Sequence, residues 1–333
     1  MKMRLLKFGG GMAAVGVVAA VGFVSWLTMS WPPTFEDTPT PEIEATDDPE
    51  VIARGEYLFH TAAHCTACHT PRENLEELEP GEYAVPAGGT EWEMGPLGTI
   101  RASNITPHDE TGIGGWTDAE LARAIRHSVK RDHSPALMMN FSGPVSDEDL
   151  TAIISYMRNI EPVDNETAPS EPGLLGHVLF RGGLKIFASP RPETLTAPAH
   201  VGPTEQPTVE RGEYLARGPG ACVGCHTEVD RSTGDIEGTP FAGGFPDPDP
   251  TDPDKEIVAP NITPGGILNE WSKESFVTRM KAGRTVKGSI MPWENYAGMT
   301  DEDLESIYLY LQSLEPSDND PGPAHRERGW EPQ

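Results

Sequence analysis

The stretches "HCTACHT" at 64–70 and "ACVGCHT" at 221–227 decide how this 333-residue chain is interpreted. Both contain Cys-x-x-Cys-His, and together they use all four cysteines of the chain. Two thiols about one helical turn apart can bond the two vinyl groups of a haem, and the histidine that follows can meet the iron. The motifs therefore predict two covalently bound haem c groups.

Other uses of these cysteines fit the pattern less well. A disulfide between cysteines three apart on a helix is sterically poor and leaves the histidine unexplained. A zinc site would need ligands from both motifs, and a thioredoxin-like pair needs a βαβ setting that the sequence lacks. The predicted haem residues are Cys65, Cys68 and His69 in the first motif and Cys222, Cys225 and His226 in the second.

The motifs belong to an internal repeat. "RGEYL" at 54–58 and "NITP" at 104–107 each recur 157 residues later, and "DEDL" at 147–150 recurs at 301–304. Such agreement in order and spacing indicates one duplicated module. In both copies Ser or Thr, with a carboxylate three residues on, precedes an apolar stripe of helical period. We therefore expect a mainly α fold of two tandem domains, built from short helices and long loops.

Composition limits the function. The chain has 52 acidic and 25 basic residues, a formal net charge of −27, which repels phosphate and argues against nucleic acid as a partner. The charge fits either a solvated surface in salt-rich surroundings or an acidic docking face for a basic partner. Only 37% of the residues are hydrophobic, so a bound haem would supply part of the core of each module.

The first 31 residues predict a membrane anchor. Three basic residues lie within the first seven, and 8–31 has no charged side chain, which is long enough to span a bilayer as a helix. Trp26 and Trp31 are placed like interfacial anchors. The basic flank predicts a single-pass protein of the inner membrane with everything after Trp31 on the periplasmic side. A cleaved signal peptide is the alternative.

The predicted organisation has six parts. They are the anchor (1–31), a Pro- and acid-rich linker (32–50), a first module (51–166), an interdomain segment (167–207), a second module (208–315) and a polar tail (316–333). We expect the linker to be a stiff solvated tether and the tail to be loosely held. The basic amphipathic stretch at 173–187 is expected either to lie on the membrane or to pack between the modules.

At this point the residues resemble a known family. "NITPHDETGIGGWTD" at 104–118, "MPWENYAGMTDEDL" at 291–304 and the two Cys-x-x-Cys-His motifs resemble class I cytochrome c domains. The pairing resembles membrane-anchored dihaem cytochromes c related to the cytochrome subunits of bacterial alcohol and gluconate dehydrogenases. The resemblance covers about 51–315. It departs from many of those subunits, which have three haem motifs.

The resemblance implies a methionine as the second axial ligand of each iron, on a loop before the last helix. In the second module this is Met291, which a proline follows. In the first module Met139 has an aromatic residue two positions later, as Met291 does, and is the predicted ligand. Met138 would keep the loop length closer to that of the second module, and His133 would give a bis-histidine haem.

The resemblance implies an electron-transfer protein rather than an enzyme. Two filled axial positions leave no site for a substrate, so single electrons would enter and leave. The expected donor is a periplasmic or membrane dehydrogenase or a quinol-oxidising complex, and the expected acceptor is a terminal oxidase or a soluble cytochrome. The alternative is a dihaem redox enzyme, peroxidase-like or thiosulfate-oxidising, with one haem open or unusually ligated.

The repeated "RGEYL" supplies further candidates. Tyr57 and Tyr214 are expected to pack in the haem-bearing helix pair. Arg54 and Arg211 are candidates for pairing with a haem propionate, with a plain packing role as the alternative.

Overall fold

The structure, a computed structural model, consists mainly of short helices joined by long loops, and its described residues also form two small sheets. This confirms the predicted helical, loop-rich fold. The residues that it describes are 17–19, 21–26, 28–29, 31–76, 82–139, 144–182, 199–230, 235–244, 246–286 and 288–330.

The described residues of the first module form five helices, and a sixth helix follows them in the interdomain segment. They are α1 (Pro49–His60), α2 (Cys65–His69), α3 (Arg72–Glu76), α4 (Asp118–His127), α5 (Asp147–Asn159) and α6 (Leu174–Gly182). A three-stranded antiparallel sheet of order β1-β2-β3 is formed by β1 (Glu91–Glu93), β2 (Gly98–Arg101) and β3 (Glu171–Pro172). A 3-10 turn at Gly95–Leu97 joins β1 to β2.

The second module repeats this plan. Its helices are α7 (Val209–Arg217), α8 (Cys222–Cys225), α9 (Lys273–Lys281), α10 (Trp293–Ala297) and α11 (Asp301–Ser313). Its antiparallel sheet, of order β4-β5-β6, is formed by β4 (Pro246–Pro248), β5 (Lys255–Val258) and β6 (His325–Glu327). A 3-10 turn at Ile267–Glu270 precedes α9.

The helices begin where the capping residues of the sequence predict. Thr117 and Glu120 form a reciprocal capping box at the start of α4. The last helices of the two modules are capped by Ser146 and Thr300, whose hydroxyls accept from the backbone N–H three residues on. These local bonds satisfy first-turn donors that would otherwise lack partners.

Each module is built around a close crossing of its first and last helices. A Cβ added to Gly55 in α1 would lie 1.9 Å from the carbonyl oxygen of Ala152 in α5. A Cβ added to Gly212 in α7 would lie 1.9 Å from the carbonyl oxygen of Ser306 in α11. Glycine is therefore required at both crossings. Buried side chains from the two modules join into one apolar core, and a smaller cluster surrounds Ile100 and Phe180.

The linker at 32–50 is not a free tether. Ile43 is only 6% exposed and belongs to the main core. The backbone N–H groups of Ala45 and Thr46 donate to the Asp118 carboxylate and the Ser155 hydroxyl, at 2.8 and 2.9 Å. The linker therefore lies along the first module, because its few apolar groups and its backbone donors find partners there.

The expectation of a loosely held tail is wrong for its described part. Strand β6 pairs with β5, and Arg326 donates from Nε to Glu256 at 2.6 Å. Strand β3 occupies the equivalent place in the first sheet. In each copy, then, the chain after the last helix returns to complete the sheet, beyond the boundaries predicted at 166 and 315.

The predicted anchor lies largely outside the described residues. The described parts of 17–29 are helical and exposed. Within the part of the chain that the structure describes, no helix is long and apolar enough to cross a membrane.

Candidate haem-binding site

The two Cys-x-x-Cys-His motifs occupy equivalent positions in the modules. Each begins a short helix, α2 or α8, directly after a residue in the left-handed region, His64 at φ 40° and Ala221 at φ 49°. Non-glycine residues seldom adopt this conformation, so its occurrence at the same place in both copies marks a shared turn into the motif.

The backbone orients both motif histidines in the same way. His69 Nδ1 lies 2.8 Å from the carbonyl oxygen of Ser103, and His226 Nδ1 lies 2.8 Å from that of Pro260. A carbonyl oxygen only accepts, so Nδ1 carries the hydrogen and Nε2 keeps its lone pair. Burial lowers the pKa of both imidazoles, although these hydrogen bonds act in the opposite direction. Each ring is thus held neutral and fixed, as a metal-binding histidine requires.

None of the four motif cysteines is paired in a disulfide. Cys65 and Cys222 are partly buried and pack against the core, whereas Cys68 and Cys225 are exposed. Two unpaired cysteines followed by a fixed imidazole are the side chains that attach a haem c and bind its iron. The residues of both motifs therefore fit this group, and the assignment of their bonds to haem stays a prediction.

Met291 lies on a loop two residues before α10, the short helix that precedes the last helix α11. It is partly buried against the main core and precedes α10. Arg284 donates to the Met291 carbonyl oxygen at 3.2 Å and pairs with the Glu294 carboxylate at 2.7 Å. The loop is thereby tied to the start of the helix that follows it.

The three candidate ligands of the first module lie in different surroundings. Met138, at φ 65°, packs with the smaller cluster of Ile100 and Phe180. The ring of His133 lies beside the linker, with Nε2 3.6 Å from the Glu36 carboxylate. Met139 is partly buried, and its expected aromatic counterpart two positions later lies outside the described residues. Met139 stays the predicted ligand.

The asparagines of the repeated "NITP" bind the chain that returns after each last helix. Asn104 donates to the Val163 carbonyl oxygen at 2.7 Å, and Asn261 donates to that of Ser317 at 2.9 Å. Both amide oxygens accept from the threonine two residues on. These buried amides hold the loop that also carries the carbonyl acceptor of the motif histidine.

Two equivalent contacts join the modules. Tyr57 of α1 donates its hydroxyl to Asp303 of α11 at 2.7 Å, and Tyr214 of α7 donates to Asp149 of α5 at 2.6 Å. Each tyrosine therefore reaches the first turn of the other module's last helix. We call these four residues the module clasp.

Each aspartate of the module clasp also pairs with an arginine of its own module. Arg54 holds Asp149 with two hydrogen bonds of 3.1 and 3.0 Å. Arg211 holds Asp303 with two of 2.8 Å. Each arginine therefore pairs with a carboxylate in the last helix of its own module. Although burial favours the protonated form of Asp303, the hydrogen bonds and charge of Arg211 hold its pKa below the usual value.

A further contact links the Met291 segment to the first haem motif. Asn295 of α10 donates to the His60 carbonyl oxygen at 2.9 Å and to the Thr66 hydroxyl at 2.7 Å. Thr66 stands between the two cysteines of the first motif. The predicted ligand segment of one module is therefore bonded to the predicted haem segment of the other.

Sequence reasoning did not find the cross-module role of Tyr57, Tyr214 or Asn295. The two tyrosines recur at equivalent positions, as do Asp149 and Asp303, and this recurrence was the available signal. A repeat does not show whether equivalent residues pair within a copy or between copies.

The amino-acid sequence was compared with those of known proteins. No protein-family model matches the chain. It is 33% identical over 291 residues to the cytochrome c subunit of alcohol dehydrogenase (quinone) from Gluconacetobacter polyoxogenes, covering 81% of this chain and 57% of that protein. The chain is related to these cytochromes.

Two further relatives extend the comparison. The chain is 29% identical over 293 residues to the fructose dehydrogenase cytochrome subunit of Gluconobacter japonicus, covering 83% of this chain and 55% of that protein. It is 28% identical over 315 residues to a diheme cytochrome c-type protein of Cereibacter sphaeroides, covering 91% and 96%. The chain thus spans little more than half the length of the dehydrogenase subunits that it matches.

Proposed function

We propose that this chain is a dihaem c-type cytochrome that carries single electrons. The observation that carries the proposal is the equivalent geometry of His69 and His226, each fixed through Nδ1 and preceded by two cysteines that form no disulfide. The names of the relatives support covalently bound haem c, and the diheme relative supports a count of two.

The chain's own residues would hold and tune the cofactor. Bound haem supplies a one-electron iron couple. The cysteines would attach it, and the imidazoles of His69 and His226 would face the iron through Nε2. Met139 and Met291 would provide thioether ligands, which favour the reduced state and raise the potential.

The partners follow from the relatives and the sequence. We propose a dehydrogenase or a quinol-oxidising complex as the donor, since the relatives include cytochrome subunits of alcohol and fructose dehydrogenases. The acceptor would be a terminal oxidase or a soluble cytochrome. The uncharged run at 8–31 and its basic flank support a single-pass anchor in the inner membrane, with the modules on the periplasmic side.

The ligand set gives the test. Ferric haem with a methionine ligand shows a weak near-infrared charge-transfer band, and we expect intensity for two haems per chain. Met291→Ala and Met139→Ala should each remove half of it, and the matched control Met138→Ala should leave it unchanged. Loss in Met138→Ala instead would move the first ligand by one residue.

Carbon monoxide separates the carrier from the enzyme alternative. With both axial positions filled, the reduced protein should bind little carbon monoxide and its spectrum should stay unchanged. A haem that binds carbon monoxide readily in the unaltered protein would contradict the carrier and favour a peroxidase-like or thiosulfate-oxidising enzyme.

A further inference from the structure

The distribution of acidic residues singles out one surface of this protein. In a chain with 52 acidic residues, the two longest stretches without one are 1–35 and 172–192. The first contains the predicted anchor and the second contains α6. Although they are far apart in sequence, their described parts meet in the structure.

Aromatic contacts join α6 to the end of the anchor. The Arg181 guanidinium lies 5.2 Å from the ring centroid of Trp26. The ring of Trp31 lies 5.3 Å from that of His177, edge to face, and 6.1 Å from that of Phe180. Helix α6 is therefore packed beside the residues that the sequence places at the membrane–water interface.

The two faces of α6 differ. Phe180 is 2% exposed and packs in the smaller apolar cluster. Leu174, Leu175 and Val178 are 54%, 45% and 41% exposed. Val178 lies four residues after Leu174 and three after Leu175, so it is a neighbour of both on the helix surface. Exposed apolar side chains on a stretch that itself contains no acidic residue are unusual on so acidic a protein, and such faces mark interaction sites.

The linker keeps α6 close to the end of the predicted anchor. The Phe35 N–H donates to the His133 carbonyl oxygen at 2.9 Å, and Ile43 is buried in the core. The chain between Trp31 and α1 therefore runs along the first module, with no slack that would lift α6 away from the end of the anchor.

We propose that α6 is an interfacial helix, with Leu174, Leu175 and Val178 inserted at the boundary of lipid headgroups and acyl chains. Arg181 would lie at the level of the lipid phosphates, where a basic residue is favoured. The first module would then lie against the bilayer and the second would be free to meet soluble partners. This inference rests on the anchor in the proposed function.

Spin labelling of the full-length, haem-loaded protein in vesicles of phosphatidylcholine and phosphatidylglycerol tests the inference. The four native cysteines would be thioethers, so a single introduced thiol takes the label. Val178→Cys and, separately, Leu175→Cys report on α6. Ile236→Cys, at a similarly exposed position in the second module, is the matched control. Collision with oxygen, which partitions into lipid, is compared with collision with a water-soluble nickel chelate.

The expected result is a higher ratio of oxygen to nickel collisions on α6 once vesicles are present, with no change at position 236. Equal access of nickel to α6 and to position 236 would overturn the inference. Shielding from both reagents would also overturn it, because it would mean that α6 contacts a second protein copy. Flotation of the unlabelled protein with the vesicles tests the anchor separately, and its failure would remove the anchor and the inference but leave the haem assignment.

Discussion

Replacing Tyr214 by phenylalanine is expected to loosen the attachment of the second module to the first. The Tyr214 hydroxyl donates to the Asp149 carboxylate at 2.6 Å and lies 3.1 Å from the Ser146 hydroxyl, the cap of α5. Tyr214 and Asp149 are each 1% exposed, so water does not replace the lost bond. The substitution keeps the ring and removes only the hydroxyl.

The size of the effect follows from the charge of the acceptor. A hydrogen bond to a charged group contributes about 1.5 to 3 kcal/mol. Because Asp149 keeps both bonds from Arg54, its charge stays paired, and we expect the lower end, about 1.5 to 2 kcal/mol. That is at least about a tenfold change in the equilibrium between attached and released modules. Tyr57→Phe should act in the same direction through Asp303.

Guanidinium unfolding of the haem-loaded protein, followed by circular dichroism and by haem absorbance, measures this coupling. The unaltered protein should unfold in one transition. The Tyr214→Phe variant should unfold at a lower denaturant concentration, and the double variant, which also carries Tyr57→Phe, should unfold in two separate transitions. Tyr308→Phe is the matched control, because Tyr308 donates to the Trp271 carbonyl oxygen within the second module at 2.8 Å. This variant should lower the stability of the second module, but the protein should still unfold in a single transition.

The reasoning would be refuted by a double variant that still unfolds in one transition with an unchanged midpoint. It would equally be refuted if Tyr308→Phe separated the modules as strongly as the clasp variants did.

Three further predictions concern the helix crossing, a buried histidine and the contact of Asn295. Gly55→Ala should destabilise the first module by about 1 to 3 kcal/mol or more in thermal unfolding, because the added Cβ would lie 1.9 Å from a backbone oxygen. Gly115→Ala is the control and should change the stability little, because its added Cβ would have no neighbour closer than 3.6 Å. Burial lowers the pKa of His60 to about 4, so NMR of the reduced protein should show a neutral ring at pH 6; a midpoint near 6.5 would contradict this. The stability that His60 contributes should be complete above the unfolded pKa of about 6.5 and be lost as the pH falls through about 4. Asn295→Leu should lower the melting temperature by leaving its two buried acceptors unpaired, at a cost of about 1 to 3 kcal/mol, and an unchanged melting temperature would exclude the contact.

The parts of the fold that the sequence predicts are those set by local signals. The capping box of Thr117 and Glu120 fixes the start of α4 from residues three apart. The carboxylate three residues after Ser146 or Thr300 predicts the start of each last helix in the same way. Duplication then extends each local inference to the other copy.

Long-range pairing could not be predicted in this way. Each copy contains the tyrosine of "RGEYL" and the second aspartate of "DEDL". Pairing within a copy and pairing between copies therefore have the same sequence signature. The structure shows both kinds in one site, with Arg211 holding Asp303 from its own module and Tyr57 reaching it from the other.

Composition misled the interpretation of the linker and the tail. Both are rich in proline and acid, which is typical of solvated segments. Individual side chains in both segments nevertheless contact the modules. Ile43 of the linker is buried in the core, and Arg326 of the tail donates a hydrogen bond to Glu256. Mean polarity does not show such isolated contacts.

Intact-mass spectrometry of the chain, produced in cells with a c-type haem maturation system, tests the central claim most directly. The chain should carry the mass of two haems, and each variant with one motif removed should carry the mass of one. The two variants are Cys65→Ala with Cys68→Ala, and Cys222→Ala with Cys225→Ala. A chain without added haem, or a single-motif variant that keeps both haems, would contradict the account.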